Sequence, residues 1–428
     1  MSKILCIAFV LMTLPSWGLA ETVNLTLEGT LQKASELSQQ VLIAKTGVRT
    51  AAAHKDLEKA PFRPQLSVGT GVAATYGFPL SIEGSAPSIF NVNFLQTLYD
   101  RKQRKQADAA VLLEERSQHE METEQQRAAL EAGRLYLELR NQRQRHQYYQ
   151  MQVESLEKTR EIIAVRAQDG MVQPRELTKI KLEVAKAKVT LAKNEQSTLL
   201  LEEQLRQATG IAAGVSLALG NDEISGGRAE WSEDTLLVAA LDKDPTLMQL
   251  RVQERSYEVM GDGLTGWFRP VVNLVGRYDL FSRFNDYEKY FNNFQRNNLL
   301  LGFSIQVPLI QPSLAPEKRR LQALQDEAQL KIKLRTNEIR AQTLREVTNL
   351  AVLRAKTEAT RLEAQLAREN LQVAQATYEE GKLPLARLEE VRREENTRWL
   401  EYLDVRLEEE QIQLNLRKQA GTLLPVSQ

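Results

Sequence analysis

Hydrophobic positions along this chain recur with two periods, and the two alternate in the same order twice. From Leu27 to Lys59 and from Asp234 to Met260, apolar residues fall at helical spacing. Four shorter stretches alternate instead. Leu66, Val68, Thr70, Val72, Ala74, Tyr76 and Phe78 interleave with polar or small residues. So do Phe90, Val92 and Phe94, then Val272, Leu274, Tyr278 and Leu280, and finally Leu299, Leu301, Phe303, Ile305 and Val307. Period two with one apolar face predicts strands. After each strand pair comes a very long helical stretch. Glu317 to Glu380 has neither Gly nor Pro, and Arg101 to Asp169 has Gly133 as its only breaker. In the former, Leu321, Leu324, Ala328, Ile332, Val347, Ala351, Ala355, Leu362 and Leu366 form a narrow apolar stripe among charged residues. The 64 residues from Glu317 to Glu380 would span about 95 Å as one helix. So much length with so little apolar surface predicts coiled-coil packing.

The repetition extends to short motifs. Pro61-Phe62-Arg63-Pro64 returns as Trp267-Phe268-Arg269-Pro270, 206 residues on. Each long helix meets a glycine, Gly170 or Gly381. Each then turns into a second helix, from Pro174 to about Thr209 and from Pro384 to about Ala420, with proline near the first turn. The chain therefore divides into a first repeat over 21–210, a Gly-rich linker over 211–231 and a second repeat over 232–428.

Residues 1–20 read as a secretory signal. Lys3 supplies the charge, Ile4 to Leu14 the apolar run and Gly18-Leu19-Ala20 the cleavage site. Cleavage after Ala20 would remove Cys6, the only cysteine, so no disulfide, thiolate nucleophile or Cys metal site is expected. No Cys follows that site, and a lipid-anchored N-terminus is not expected either. Beyond the signal no 18-residue apolar run offers a membrane helix. Lys+Arg and Asp+Glu both number 56, which gives no electrostatic footprint for nucleic acid.

A soluble half-buried sheet would show the same alternation as the four strands. Export, and strands of about 9–11 residues, favour a membrane barrel. Four strands cannot close one, and open edges are not tolerated in hydrocarbon. Several copies must therefore share a barrel, and three would make it even-stranded. Long polar hairpins standing side by side could wall a cylinder wetted on both faces.

This order of helix, strand, strand, long helix, Gly turn and helix, written twice, resembles the TolC-like outer-membrane factors of Gram-negative bacteria. The resemblance implies an α+β membrane protein with a duplicated strand pair and long helical hairpins. It implies a homotrimer that builds a twelve-stranded barrel in outer-membrane lipid on an α-helical coiled-coil tunnel reaching into the periplasm. The implied partners are a periplasmic adaptor (membrane fusion protein) and an inner-membrane pump, and the implied role is a passive conduit for efflux or type I secretion. By the same resemblance Gly170, Met171, Gly381 and Lys382 form adaptor-docking tips. Tyr378 matches a latch tyrosine and Glu176 its acidic partner on the neighbouring helix pair. Glu390 matches one of two acidic gate residues. Arg387 stands where the other acid is expected, and three residues apart the two could pair on one helix face. A second departure is Pro308-Leu309-Ile310-Gln311-Pro312, which lacks a glycine after the last strand; Leu98-Tyr99-Asp100-Arg101 fits better.

Enzymatic and cofactor chemistry is not expected. His54, His119 and His146 have no i, i+4 partners, and no phosphate loop, nucleophile elbow or zinc signature occurs. Phe281, Phe284, Tyr287, Tyr290, Phe291 and Phe294 cluster between the third and fourth strands. An aromatic girdle at the membrane edge or a loop folded into the mouth would each account for them, and the girdle is the favoured expectation. The competing functional class is a periplasmic coiled-coil scaffold or adaptor, which would not need a duplicated strand pair.

Overall fold

The computed structural model describes residues 22–71, 88–220, 232–266, 268–281 and 295–424. The signal peptide, the first strand from Val72 to Phe78, residues 221–231, Trp267 and the aromatic cluster beyond Phe281 lie outside the described residues.

Each repeat opens on two helices where the periodicity suggests one. These are α1 (Leu27–Leu37) and α2 (Gln39–Lys59), and then α5 (Glu233–Lys243) and α6 (Pro245–Gly263). The breaks fall at Ser38 and Asp244, again 206 residues apart. Each residue has extended φ/ψ and caps the helix that follows, Ser38 accepting from Val41 N and Asp244 from Leu247 N. Strands β2 (Gln65–Gly69), β3 (Ser88–Asp100), β5 (Val271–Phe281) and β6 (Asn297–Gln306) form one antiparallel sheet ordered β2-β3-β5-β6. The long helices α3 (Arg101–Gln168) and α7 (Leu314–Glu379) have 68 and 66 residues, and α4 (Pro174–Thr209) and α8 (Leu385–Gln419) return from them.

Each strand of the sheet connects to one helix of the layer below. The upper helices pack in the order α2-α3-α6-α7, and the connections α2 to β2, β3 to α3, α6 to β5 and β6 to α7 give the strands the same order. Toward the tips the order is α4-α3-α8-α7, so the long helices run through both levels. Across the repeats, α3 and α8 are joined by the ion pairs Arg140–Glu410 and Arg145–Asp404, and Asn141 Nδ2 donates to the Leu403 carbonyl at 2.8 Å.

Two features depart from the sequence pattern. The segment read as a linker carries β4 (Ser216–Leu219), which pairs in parallel with β1 (Thr22–Leu25). Four residues are too few to show alternation, and the partner strand lies at the far end of the repeat. Tyr136, fully buried, ties this ribbon to α3 by donating to the Gly220 carbonyl at 3.0 Å. Gly133 does not break α3. A Cβ there would meet Leu31 Cδ2 at 2.8 Å and Leu414 Cδ1 at 3.1 Å, so the glycine lets α1 and α8 close on the same point of the long helix. The core at this level joins Leu25, Leu31, Tyr136, Leu205, Leu217 and Leu414.

Candidate channel wall and tunnel tips

Register assigns every strand residue to a face. Leu66 pairs with Phe94, Phe94 with Gly276, and Gly276 with Leu301. One step along, Val68, Val92, Tyr278 and Leu299 stand in a row. Leu274 with Phe303 and Val272 with Ile305 continue the same face. That face is apolar across all four strands and uncovered: Leu301 is 74% exposed and Phe303 70%. The other face carries Ser67, Asn91, Asn93, Asn273, Arg277, Asp279, Asn298 and Ser304, with Leu95, Val275 and Leu300 among them. β3 is longer than its alternation suggested, because register shifts at Ser88/Phe90 and Thr97/Tyr99 disrupt the period at both ends. Among the described residues, β2 and β6 each leave one edge unpaired. Neighbours alternate in direction, so β6 of one copy would meet β2 of the next antiparallel.

The helical layer ends the same way. On α7 the buried stripe includes Leu321, Ala328, Ile339, Leu350, Ala364 and Ala374. A second stripe, Leu330, Leu334, Leu344, Val352, Leu362, Leu366 and Val373, is exposed at heptad-like intervals. At the opposite edge Ile43 and Leu57 of α2 and Leu182, Val189 and Leu199 of α4 are exposed. The foot of the sheet is apolar too: Leu309 and Ile310, between Pro308 and Pro312, are almost fully exposed.

At the tips both glycines are left-handed, with φ of 74° at Gly170 and 75° at Gly381. Met171 N–H donates to the Arg166 carbonyl at 2.8 Å and Lys382 N–H to the Thr377 carbonyl at 3.1 Å, the six-to-one bond of a Schellman cap. No atom lies within 4 Å of a Cβ added to either glycine, so the requirement is one of backbone conformation and not of space. Met171 is exposed, and Lys382 Nζ sits 2.8 Å from Glu380 Oε2 at the surface.

Tyr378 is only 6% exposed. It packs with Val153, Leu156, Ile163, Ile180 and Leu388, and the Arg166 guanidinium lies 5.3 Å from its ring centroid. Burial pushes its hydroxyl above the usual tyrosine range; the Arg166 charge opposes this, while the nearby Glu176 charge adds to it. Glu176 is half-buried in the first turn of α4. Among the described residues the tyrosine's close polar neighbour is thus Arg166 of its own chain. Arg387 Nη1 donates to Glu390 Oε2 at 2.6 Å, both side chains exposed on the first turns of α8.

Two groups of residues at this end escaped the sequence reading. Arg392 is buried, pairs with Glu389 and points Nη2 at Thr159 Oγ1, 3.3 Å away, and at Ser155 Oγ, 3.4 Å away. Burial raises the Glu389 pKa while Arg392 opposes the rise. Deeper along the hairpin Tyr148 donates to the buried Glu395, and Arg368 lies 4.9 Å from the Trp399 ring centroid. Tyr148 is pushed far above its ordinary pKa, first by burial and then by that hydrogen bond. One signal was available: Leu385, Leu388, Arg392 and Glu395 follow a heptad seam, where two charged residues are out of place.

Residues 30–211, the first repeat, match the profile of a family described as outer membrane efflux protein. That match spans 182 of the 428 residues. No curated protein matches it in sequence. Solved structures show how far the family fold extends. The Campylobacter jejuni CmeC outer membrane channel superposes with a TM-score of 0.75 at 15% identity, covering 100% of this chain and 96% of that one. A membrane protein from Pseudomonas aeruginosa gives a TM-score of 0.76 at 16% identity, covering 92% and 93%. The open state of the Neisseria gonorrhoeae MtrE outer membrane channel gives 0.73 at 14%, covering 93% and 89%. The fold of these channels therefore spans both repeats, although the profile matches only the first.

Proposed function

We propose that three copies of this chain close into one outer-membrane channel that continues as a periplasmic tunnel and carries solutes outward when docked to an adaptor and a pump. The observation that carries this reading is the sheet: four strands with one uncovered apolar face and two free edges of compatible direction. Lipid would cover the face, and neighbouring copies would pair the edges, satisfying every backbone group in hydrocarbon. In this reading residues 21–210 and 232–428 are the structural repeats, with 211–231 between them at the equator. The capped turns at Gly170-Met171 and Gly381-Lys382 are the adaptor-docking tips.

The same reading makes the α8 entrance a gate. Arg387 and Glu390 of three copies would ring the narrowest point, with Tyr378, Arg166 and Glu176 holding α7 against the first hairpin. An exposed ion pair contributes at most about 1 kcal/mol and is screened by salt. The closed tip should therefore loosen as ionic strength rises. In planar bilayers the purified protein is expected to give discrete, small conductance steps. Arg387→Glu should raise them by leaving six carboxylates at one level, and adding Glu390→Arg should partly restore closure. Additive opening by the two changes would show that the pair does not hold the gate. Absence of any conductance from assembled protein would refute the channel.

A further inference from the structure

The strands are nearly devoid of charge. Among the described residues of β2, β3, β5 and β6, charged side chains occur only at Asp100, which caps α3 at the foot of the sheet, and at Arg277 and Asp279 within β5. Arg277 and Asp279 flank Tyr278, whose side chain is on the apolar face, so both point to the polar one. Register sets Arg277 opposite Asn93 and Leu300, and Asp279 opposite Asn91 and Asn298. The two form a fork: Arg277 Nε lies 2.7 Å from Asp279 Oδ2 and Nη2 lies 3.3 Å from Oδ1. The pair is not presented evenly, since the arginine side chain is 50% exposed and the aspartate 7%.

We infer that the Arg277–Asp279 pair sets the ion preference of the barrel lumen, with the guanidinium as the group that passing solutes meet. This rests on the channel reading, which turns the polar face inward. Guanidinium keeps its charge at any physiological pH, and its planar fork fits the carboxylate with two bonds. The carboxylate accepts from that fork and is withdrawn from solvent, while half of the arginine side chain stays exposed. Three copies would place three such side chains at one level of a wall that asparagine, serine and glycine line together with Leu95, Val275 and Leu300. A low-dielectric wall strengthens the field of a few fixed charges inside an aqueous passage. The lumen would favour anionic solutes at this level. Arg296, the next described cation up the sheet, sits just before β6 with Nε 3.1 Å from the Phe281 carbonyl, and it is left unchanged in the test.

Reversal potentials across a KCl gradient give the chloride-to-potassium permeability ratio. They are best taken near 0.01–0.1 M, where the Debye length is about 30–10 Å. The unaltered channel should lean toward chloride. Asp279→Asn, which keeps an acceptor for the guanidinium, should raise the ratio about fivefold, as expected for a lumen potential changed by about one kT. Arg277→Gln should move it by a similar factor the other way, and Arg277→Lys should leave it near the parent value. If Arg277→Gln fails to assemble, Asp279→Asn against Arg277→Lys carries the test. Ratios within twofold of the parent for Asp279→Asn, or shifts in the same direction for Asp279→Asn and Arg277→Gln, would overturn the inference while leaving the channel intact. Trimers that conduct no ions would instead sink the channel reading, and the pair's role with it.

Discussion

Phe303→Arg, or Leu301→Arg, is expected to remove most of the assembled protein from the outer membrane. Both side chains belong to the uncovered face, Leu301 opposite Gly276 and Phe303 opposite Leu274. A cation at mid-bilayer depth costs about 2–4 kcal/mol per copy, and a trimer incurs that cost three times. Ser304→Arg supplies the contrast, since it lies one residue along on the opposite face. One step on a strand exchanges lipid for lumen, so this variant should assemble normally. The measurement is heat-resistant oligomer in the outer-membrane fraction, compared across the variants. Equal yields for Phe303→Arg and Ser304→Arg would mean that the apolar face does not meet lipid.

The double change Leu362→Glu with Leu366→Glu should act on the helical half. Neither side chain is covered within its own chain, although α7 already buries a separate stripe against α6 and α8. Burying a leucine contributes about 1.5–3 kcal/mol, and two are lost at each of the three interfaces. Hairpin folding should survive, because the inner stripe through Ala364 and Ala367 is untouched. Circular dichroism should stay close to that of the parent while sedimentation shows a loss of trimer. A fully trimeric double variant would show that the second stripe faces water and that another surface joins the copies.

Much of the fold was legible in the sequence because its signals are long or repeated. Helices of more than sixty residues, bounded by Gly170 and Gly381, leave few alternatives, and the 206-residue recurrence of a four-residue motif identifies the duplication. The alternation of Leu299, Leu301, Phe303 and Ile305 marks one face of β6, with Leu300 opposite Arg277 as the exception. The missed features depend on contacts distant in sequence. Strand β4 exists because β1 lies beside it. The breaks at Ser38 and Asp244 are single capping residues inside otherwise helical periodicity. Gly133 reads as a helix breaker until Leu31 and Leu414 are seen converging on it. The tip residues were placed by family pattern, and what pattern could not supply was the company they keep. Tyr378 faces Arg166 of its own chain, and Arg392 lies on a coiled-coil seam beside Thr159, a contact visible only once α3 and α8 are packed.

A membrane channel built from this chain requires its copies to share one barrel. Native mass spectrometry of the protein extracted in detergent from outer membranes measures this directly. A species of three times the mass of the processed chain, with monomer absent, is the predicted result. Recovery as a monomer, or only in the soluble periplasmic fraction, would contradict it, since a single four-stranded sheet cannot close its own edges in lipid.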